Sequence, residues 1–190
     1  MEEAVTALER LREVALDQHG LVTTAQALDV GVRHASLSMM VRRGRLERVA
    51  YGVYRVPQVP VTPQVPYMEA VLWTGVAEAC LSHETALDVY AISDINPTRL
   101  HVTVSRSRRL RRAGGERYVV HYEDLAPSQI GWWEQVPTVT PTVAVEQCIR
   151  YGTPTYLLRQ ALERGPRDGK LRADDAARLT HLLEHRDDRP

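Results

Sequence analysis

A chain of 190 residues, 44% hydrophobic and 25% charged, is long enough to form one large or two small folded domains with a hydrophobic core. No stretch approaches the roughly 20 apolar residues of a membrane-spanning helix, and the N-terminus lacks the basic and apolar regions of a secretory signal. Together with two isolated cysteines, Cys80 and Cys148, these features lead us to expect a cytoplasmic protein with reduced thiols.

The net charge of zero conceals an uneven distribution of charge. Residues 32–56 contain six arginines and one acid, Glu47, and residues 99–117 contain seven arginines and one acid, Glu116. Residues 57–97 contain five acids and neither lysine nor arginine. Electrostatic attraction to phosphates acts over about a Debye length of 8–10 Å, so local charge decides whether a surface binds nucleic acid. The two arginine-rich segments are therefore candidates for such contacts.

The first 57 residues predict three helices and a hairpin. Apolar residues at helical spacing indicate a first helix that ends at Gly20, and threonine is a favourable N-cap for the second. We predict helices over residues 2–19, from Thr23 or Thr24 to Leu28 and over residues 33–43, and strands over residues 46–49 and 53–56. Three helices followed directly by a hairpin predict a winged helix-turn-helix, so residues 1–57 are expected to be a DNA-binding domain.

The third predicted helix has one apolar face and one polar face. Leu37, Met40 and Val41 would pack on the first two helices, with Arg33 and His34 at the margins of this face. The opposite face is small and polar enough to approach base edges, and an arginine can bond guanine with two hydrogen bonds. The residues predicted to lie near DNA bases are Arg33, Ser36, Ser38, Met39 and Arg42.

The end of this helix and the hairpin, or wing, are expected to contact the DNA backbone. Arginines there would set affinity and salt dependence rather than sequence preference. The residues predicted to contact phosphates are Arg43, Arg45, Arg48 and Tyr51.

A proline-rich segment separates this domain from the rest of the chain. Four prolines within residues 57–66 exclude a helix or a central strand, so we interpret residues 58–66 as an extended linker.

Residues 67–185 are predicted to form a mixed α/β domain with a small sheet, and residues 186–190 a frayed tail. The predicted helices cover residues 67–79, 82–91, 141–151, 154–164, ending at Gly165–Pro166, and 173–185, and the predicted strands cover residues 100–104 and 118–122. The fold class is therefore α+β.

A second arginine cluster lies between these two predicted strands, and three interpretations of it remain open. It can be a solvated hairpin loop, an auxiliary DNA contact, or a docking surface for an acidic partner or RNA. Its members are Arg106, Arg108, Arg109, Arg111 and Arg112. Two interpretations of Trp132 and Trp133 also remain open: a role in the core or at a domain interface, or base stacking.

The histidines and cysteines do not predict a catalytic or metal site. His181 and His185 share a helix face but lack a third ligand. Cys80, His83 and Glu84 lack a partner cysteine, and a buried thiol fits Cys80 better. We therefore expect no bound metal and no catalytic residue in these segments.

The glycine-rich segment near the C-terminus does not predict phosphate binding or nuclease activity. Residues 165–171 have the wrong glycine spacing for a phosphate-binding loop, and Leu171 stands where Ser or Thr would reach magnesium. Asp168-Gly-Lys170 lies in a predicted loop without a preceding strand. The protein is therefore predicted not to be an enzyme and to use no cofactor.

Several motifs resemble AbiEi-type antitoxins. The N-terminal part of the resemblance is GLVTTAQAL at residues 20–28, GVR at residues 31–33 and VRRGRLERVAYGVYRVP at residues 41–57. Looser matches are ACLSHETAL at residues 79–87, PTRLHVTV at residues 97–104 and VTPTV at residues 139–143. The resemblance covers about residues 8–165. The chain departs from the family pattern at Ala91-Ile92, where glycine is usual, and at Val143, where arginine is usual.

The resemblance implies a bacterial antitoxin of a two-gene system. Such proteins bind inverted or direct repeats in double-stranded operator DNA through the winged helix and repress their own operon. The implied partner is a nucleotidyltransferase-like toxin that the second domain counters. Two-fold operators match protein pairs, so we expect self-association on DNA. The alternative is a protein-interaction module or a stand-alone regulator without antitoxin activity.

Overall fold

The computed structural model describes residues 6–186, which form two compact units, each with its own hydrophobic core. The first unit contains residues up to Ala79 together with residues 109–115 and 134–136. The second contains residues 80–108, residues 116–133 and the chain from Pro137 onward. Residues 2–5 of the first predicted helix and residues 187–190 of the predicted tail lie outside the described residues.

The first unit is a winged helix-turn-helix extended by a fourth helix. Its elements are α1 (Ala7–Leu16), β1 (Leu21–Thr23), α2 (Thr24–Asp29), α3 (His34–Arg42), β2 (Glu47–Ala50), β3 (Val53–Arg55) and α4 (Val65–Trp73). The strands form an antiparallel sheet in the order β1-β3-β2. Short β1 was not predicted, because three residues are too few to show strand alternation.

Capping residues fix where α1 and α2 begin. Thr6 Oγ1 accepts a hydrogen bond from Glu9 N at 3.3 Å, and Glu9 Oε2 accepts one from Thr6 N at 2.7 Å. Thr23 and Gln26 form the same reciprocal pair at the start of α2. The predicted end of α1 at His19 was wrong, because α1 ends at Leu16. Gly20 nevertheless lies in the left-handed region and donates its N–H to the carbonyl of Ala15 at 2.8 Å, so it caps the last turn as expected.

The proline-rich segment belongs to the first unit, so the compact units do not follow the predicted boundary at residues 58–66. Val59 is 7% exposed and packs in the same core as Leu11, Val22 and Leu37. Thr62 Oγ1 lies 2.9 Å from His19 Nδ1. Helix α4 then packs against the three-stranded sheet, which extends the unit to Ala79.

The second unit combines a five-stranded sheet with four α-helices among the described residues. Its elements are β4 (Cys80–Leu81), α5 (His83–Val89), β5 (Leu100–Val104), β6 (Tyr118–Tyr122), β7 (Ile130–Trp133), β8 (Val136–Val139), α6 (Pro141–Tyr151), α7 (Thr155–Arg167) and α8 (Ala173–Glu184). The sheet order is β6-β5-β4-β8-β7, with β4 antiparallel to β5 and parallel to β8. The α+β prediction is thus confirmed, and β4, β7 and β8 are strands that it missed.

Strands β5 and β6 have the predicted bounds, but the segment between them is not a hairpin loop. The two strands are neighbours and run parallel, with Leu100 opposite Tyr118 and Val104 opposite Tyr122. Parallel neighbours need a crossover connection rather than a tight turn. The hairpin interpretation of residues 105–117 was therefore wrong.

The helices of the second unit enclose its core. Helix α6 has the predicted bounds, whereas α7 continues past the predicted stop at Gly165–Pro166 to Arg167. Pro166 lies in the last turn, where the carbonyl of Gly165 accepts hydrogen bonds from Lys170 N and Leu171 N. The principal core residues are Leu87, Ile92, Val139, Val145, Cys148, Ile149, Leu158 and Leu179.

Candidate nucleic-acid interface

The turn between α2 and α3 sets the orientation of α3 within the first unit. Arg10 Nη1 donates a hydrogen bond to the carbonyl of Val30 at 2.8 Å. Gly31 follows with a φ of +77°, and a Cβ at this position would lie 3.1 Å from Arg10 Nη1. The positive φ therefore favours glycine here, and a Cβ would also press against the Arg10 guanidinium.

Helix α3 shows the two faces that its sequence predicts. Leu37 is buried, and Met40 and Val41 are half-buried beside it. The predicted base-proximal residues Arg33, Ser38, Met39 and Arg42 are exposed, whereas Ser36 is half-buried at the edge of the exposed face. The exposed face also includes His34 and Ala35. The structure thus leaves a polar helix face open to solvent, with Ser36 at its margin.

The wing is tied to the start of α2 and carries exposed cations. Thr24 N donates to the carbonyl of Gly52 in the wing turn at 2.9 Å. Tyr51 beside it is 51% exposed, and the guanidinium carbon of Arg48 lies 5.8 Å from the centre of its ring. Arg43 and Arg45, between α3 and the wing, are exposed as well.

The single acid of this region is paired. Glu47 accepts two hydrogen bonds from Arg55, at 2.9 and 3.0 Å. These bonds hold the pKa of the Glu47 carboxyl below its ordinary value. Arg55 therefore compensates the charge of Glu47, and the exposed arginines of α3 and the wing give this surface its positive sign.

The second arginine cluster does not belong to one unit. Arg109, Arg111 and Arg112 lie in the first unit, and Arg106 and Arg108 lie in the second. A long connection crossing from one unit to the other and back cannot be recognised from local sequence periodicity.

Arg112 contacts both α4 and the wing within the first unit. Its Nη1 donates to the carbonyl of Trp73 at 2.9 Å, and its guanidinium carbon lies 5.5 Å from the centre of the Tyr51 ring. The indole of Trp73 in turn donates to the carbonyl of Ala113 at 2.9 Å. Arg112 thus links α4 to the tip of the wing, which the sequence analysis did not predict.

The cysteines are buried thiols in the second unit. Cys80 and Cys148 are both free, and burial raises the pKa of each thiol, that of Cys80 to about 12. A thiol with a raised pKa is a poor nucleophile and a poor metal ligand at neutral pH. This environment agrees with the prediction of a buried thiol at Cys80.

The aromatic pair and the C-terminal histidines differ in exposure and packing. Trp132 is 70% exposed and is not a core residue, whereas Trp133 is half-buried. The rings of His181 on α8 and of His185 just after α8 stack at 4.1 Å, and no third ligand joins them among the described residues.

His83 lies in a group that the sequence analysis missed. It is close to His101 and His121, and one ring nitrogen from each of the three lies within 4.8 Å of the others. His101 lies on β5 and His121 on β6, and the two histidines are 20 residues apart in the chain. The alternation of each strand was visible in the sequence, but the parallel pairing that aligns the two histidines was not.

The fold and exposed charge of the first unit are those of the winged helix-turn-helix class. Residues 9–57 match the family model described as transcriptional regulator, AbiEi antitoxin, which confirms the predicted resemblance over this segment. That family is one of regulators and antitoxins, which supports a regulatory or antitoxin role.

The whole chain has a fold similar to a solved structure. The crystal structure of the Rv2827c protein from Mycobacterium tuberculosis matches 95% of this chain and 77% of that chain, with a TM-score of 0.51 and 17% sequence identity. At this identity the likeness concerns the fold alone. No curated protein matches the chain. Among residues 6–186, no helix is both long and apolar enough to cross a membrane.

Proposed function

We propose that the protein is a transcriptional regulator of the antitoxin type that binds double-stranded operator DNA through α3 and the wing. The observation that carries this proposal is the set of exposed arginines on these elements, where the one acid, Glu47, is bonded to Arg55. Clustered arginines on the elements that enter a groove and follow the backbone are the electrostatic footprint of DNA binding.

The exposed positions divide into two roles. Arg42, Ser38 and Met39 occupy the open face of α3 and contact base edges, with Arg33 and Ser36 at its borders. The residues that contact phosphates are Arg43, Arg45, Arg48 and Tyr51.

The antitoxin part of the proposal rests on the family description of residues 9–57. In this role the protein acts in the cytoplasm, represses its own operon and counters a nucleotidyltransferase-type toxin. Repeated half-sites in the operator would be occupied by two or more copies of the chain.

DNA binding is tested by fluorescence anisotropy with a labelled duplex from the region upstream of the protein's own gene. We expect salt-sensitive binding to the labelled duplex. An unlabelled, unrelated duplex of equal length and equal concentration should not displace it. Arg42→Ala/Arg45→Ala should weaken binding at least 10-fold, since it removes a base contact and a phosphate contact.

The matched control is Arg159→Ala/Arg172→Ala, which removes two exposed arginines from the second unit. This variant should bind like the wild type. Equal affinity of the wild type and the Arg42/Arg45 variant would refute the assignment of the interface.

Antitoxin activity is tested separately, by co-expression with the neighbouring gene and measurement of growth. Rescue of growth supports the antitoxin role. DNA binding without rescue would leave a stand-alone regulator, and rescue by the Arg42→Ala/Arg45→Ala variant would show that neutralisation does not need the DNA-binding face.

A further inference from the structure

Three histidines of the second unit converge from three different elements. His83 opens α5, His101 lies on β5 and His121 lies on β6. The parallel register places Thr103 opposite His121, so that His101 and His121 are on the same face of the sheet. One ring nitrogen from each histidine lies within 4.8 Å of the other two.

The nitrogens of His101 and His121 face each other. His121 Nε2 lies 3.1 Å from His101 Nδ1, and the ring of His83 stacks on that of His121 with centres 3.5 Å apart and planes 13° apart. Two neutral imidazoles in this arrangement can share one hydrogen between the facing nitrogens. A cation in place of this hydrogen would be bound by the lone pairs of both rings.

On His83 and His101, a second ring nitrogen lies near a polar group. His83 Nδ1 lies 3.0 Å from Ser82 Oγ, and His101 Nε2 lies 3.8 Å from Glu84 Oε2. Thr153 Oγ1 donates to Glu84 Oε1 at 2.9 Å and so orients the carboxylate. Hydroxyl and carboxylate partners on the outer nitrogens are the arrangement that directs the inner nitrogens of histidines toward a bound metal.

The backbone around His83 is fixed in an uncommon conformation. His83 has a φ of +49°, in the region that residues other than glycine rarely adopt, and its backbone N donates to Gln147 Oε1 at 3.2 Å. Such backbone strain concentrates at functional sites.

We propose that His83, His101 and His121 bind one divalent transition-metal ion of the zinc class. Imidazole nitrogens suit Zn²⁺, and three histidines leave a fourth position for water. Zinc–nitrogen bonds of about 2.0–2.1 Å place tetrahedral ligand atoms about 3.3 Å apart. The facing nitrogens of His101 and His121 already have nearly this separation, at 3.1 Å.

Binding requires a small rearrangement at His83. The in-plane lone pairs of two stacked rings point in parallel directions, so the rings of His83 and His121 must tilt apart to bind a common ion. The largest distance between the three ligand nitrogens, which is within 4.8 Å, must also shorten. Tyr151 packs its ring edge against all three imidazoles at 5.3–5.6 Å and is 48% exposed. His121 is itself half-buried, so the cluster borders the solvent on the side of His121 and Tyr151.

The test uses the full chain without an affinity tag, treated with EDTA and then titrated with zinc chloride in competition with a chromophoric chelator. We expect one ion per chain. X-ray absorption at the zinc edge should then show three imidazole nitrogens at about 2.0 Å. The absence of stoichiometric binding, or a first shell without three imidazoles, would overturn the proposal.

Variants locate the site. His121→Gln should lose binding at least 100-fold, and Glu84→Gln should weaken it about 10- to 100-fold through His101. The control, His181→Gln/His185→Gln, removes the stacked pair on α8 and should bind like the wild type. Binding retained by His121→Gln, or lost in the control, would overturn the assignment. If circular dichroism shows that His121→Gln does not fold, the X-ray absorption spectrum of the zinc-loaded wild type tests whether three imidazoles bind the ion.

Discussion

At the scale of single residues, ion pairs decide which charges remain to act on a partner. Glu47 is held by two hydrogen bonds from Arg55, so the positive charge of Arg42, Arg45 and Arg48 dominates the surface of α3 and the wing. In the second unit, Asp94 is held in the same way by Arg164, at 2.6 and 2.9 Å. The first pair neutralises the one acid of the proposed binding surface, and the second connects the loop after α5 to α7.

The Asp94 pair makes a testable contribution to stability. The hydrogen bonds from Arg164, and then that from Gln160, lower the pKa of the Asp94 carboxyl in the folded protein. A carboxyl with a lowered folded pKa contributes stability above its unfolded pKa of about 3.9, and this contribution is lost as the pH falls through the folded value. Asp94→Asn should therefore lower Tm at pH 7, and the difference from the wild type should shrink as the pH falls below about 3.9.

Thermal unfolding followed by circular dichroism across this pH range measures the effect. Asp29→Asn is the control, because it removes the same charge from an exposed position on α2 and leaves the Asp94 pair intact. A difference in Tm between Asp94→Asn and the wild type that stays constant from pH 7 to pH 2 would contradict the prediction.

At the scale of elements, packing decides where the first unit ends. Prolines within residues 57–66 indicate an extended segment, but they do not indicate whether that segment is free or packed. Val59 is 7% exposed and Val61 is 68% exposed, although they are two positions apart. The prediction that the prolines exclude a helix from this segment was wrong, because Val65 and Pro66 form the first turn of α4, where a proline is tolerated. The residues before α4 contain turns, and the Val59 side chain belongs to the core.

These two valines provide a matched pair of substitutions. Val59→Ala should lower the free energy of unfolding by about 1–2 kcal/mol, because it removes two buried methyl groups. Val61→Ala should change it by less than about 0.5 kcal/mol, as expected for an exposed site. Urea denaturation of both variants measures the difference. Equal effects would mean that the segment behaves as a free linker.

At the scale of the whole molecule, a net charge of zero does not describe the proposed binding surface. In the proposed complex, arginines of α3 and the wing would act on DNA at contact distance, whereas acids elsewhere in the chain would be screened over about 8–10 Å. The affinity for DNA should therefore fall steeply as salt is raised, since each neutralised phosphate releases counterions.

Removing two phosphate contacts should reduce this salt dependence. For Arg45→Ala/Arg48→Ala, the slope of log affinity against log salt concentration should become shallower by about 2. Anisotropy titrations at several salt concentrations measure the slope, and Arg159→Ala/Arg172→Ala should leave it unchanged. An unaltered slope in the Arg45/Arg48 variant would place the phosphate contacts elsewhere.

The local features of both units could be predicted from sequence. A threonine cap located the start of α2. The two faces of α3 followed from the helical period, because burial of Leu37 and exposure of Arg42 depend on the 100° step between residues. The bounds of β5, β6 and α6 were likewise predicted correctly. Short strands such as β4 lack enough residues to show a period.

The sequence by itself determined the winged helix, the face of α3 and the local charge of the wing, because these depend on residues within a few turns of one another. Only the tertiary structure decided that Arg112 joins the wing, that Val59 enters a core and that three histidines meet. These arrangements depend on pairings between distant segments, above all the parallel alignment of β5 with β6, which sets His101 beside His121. Local propensity carries no information about such pairings, since they form only when remote surfaces are buried together.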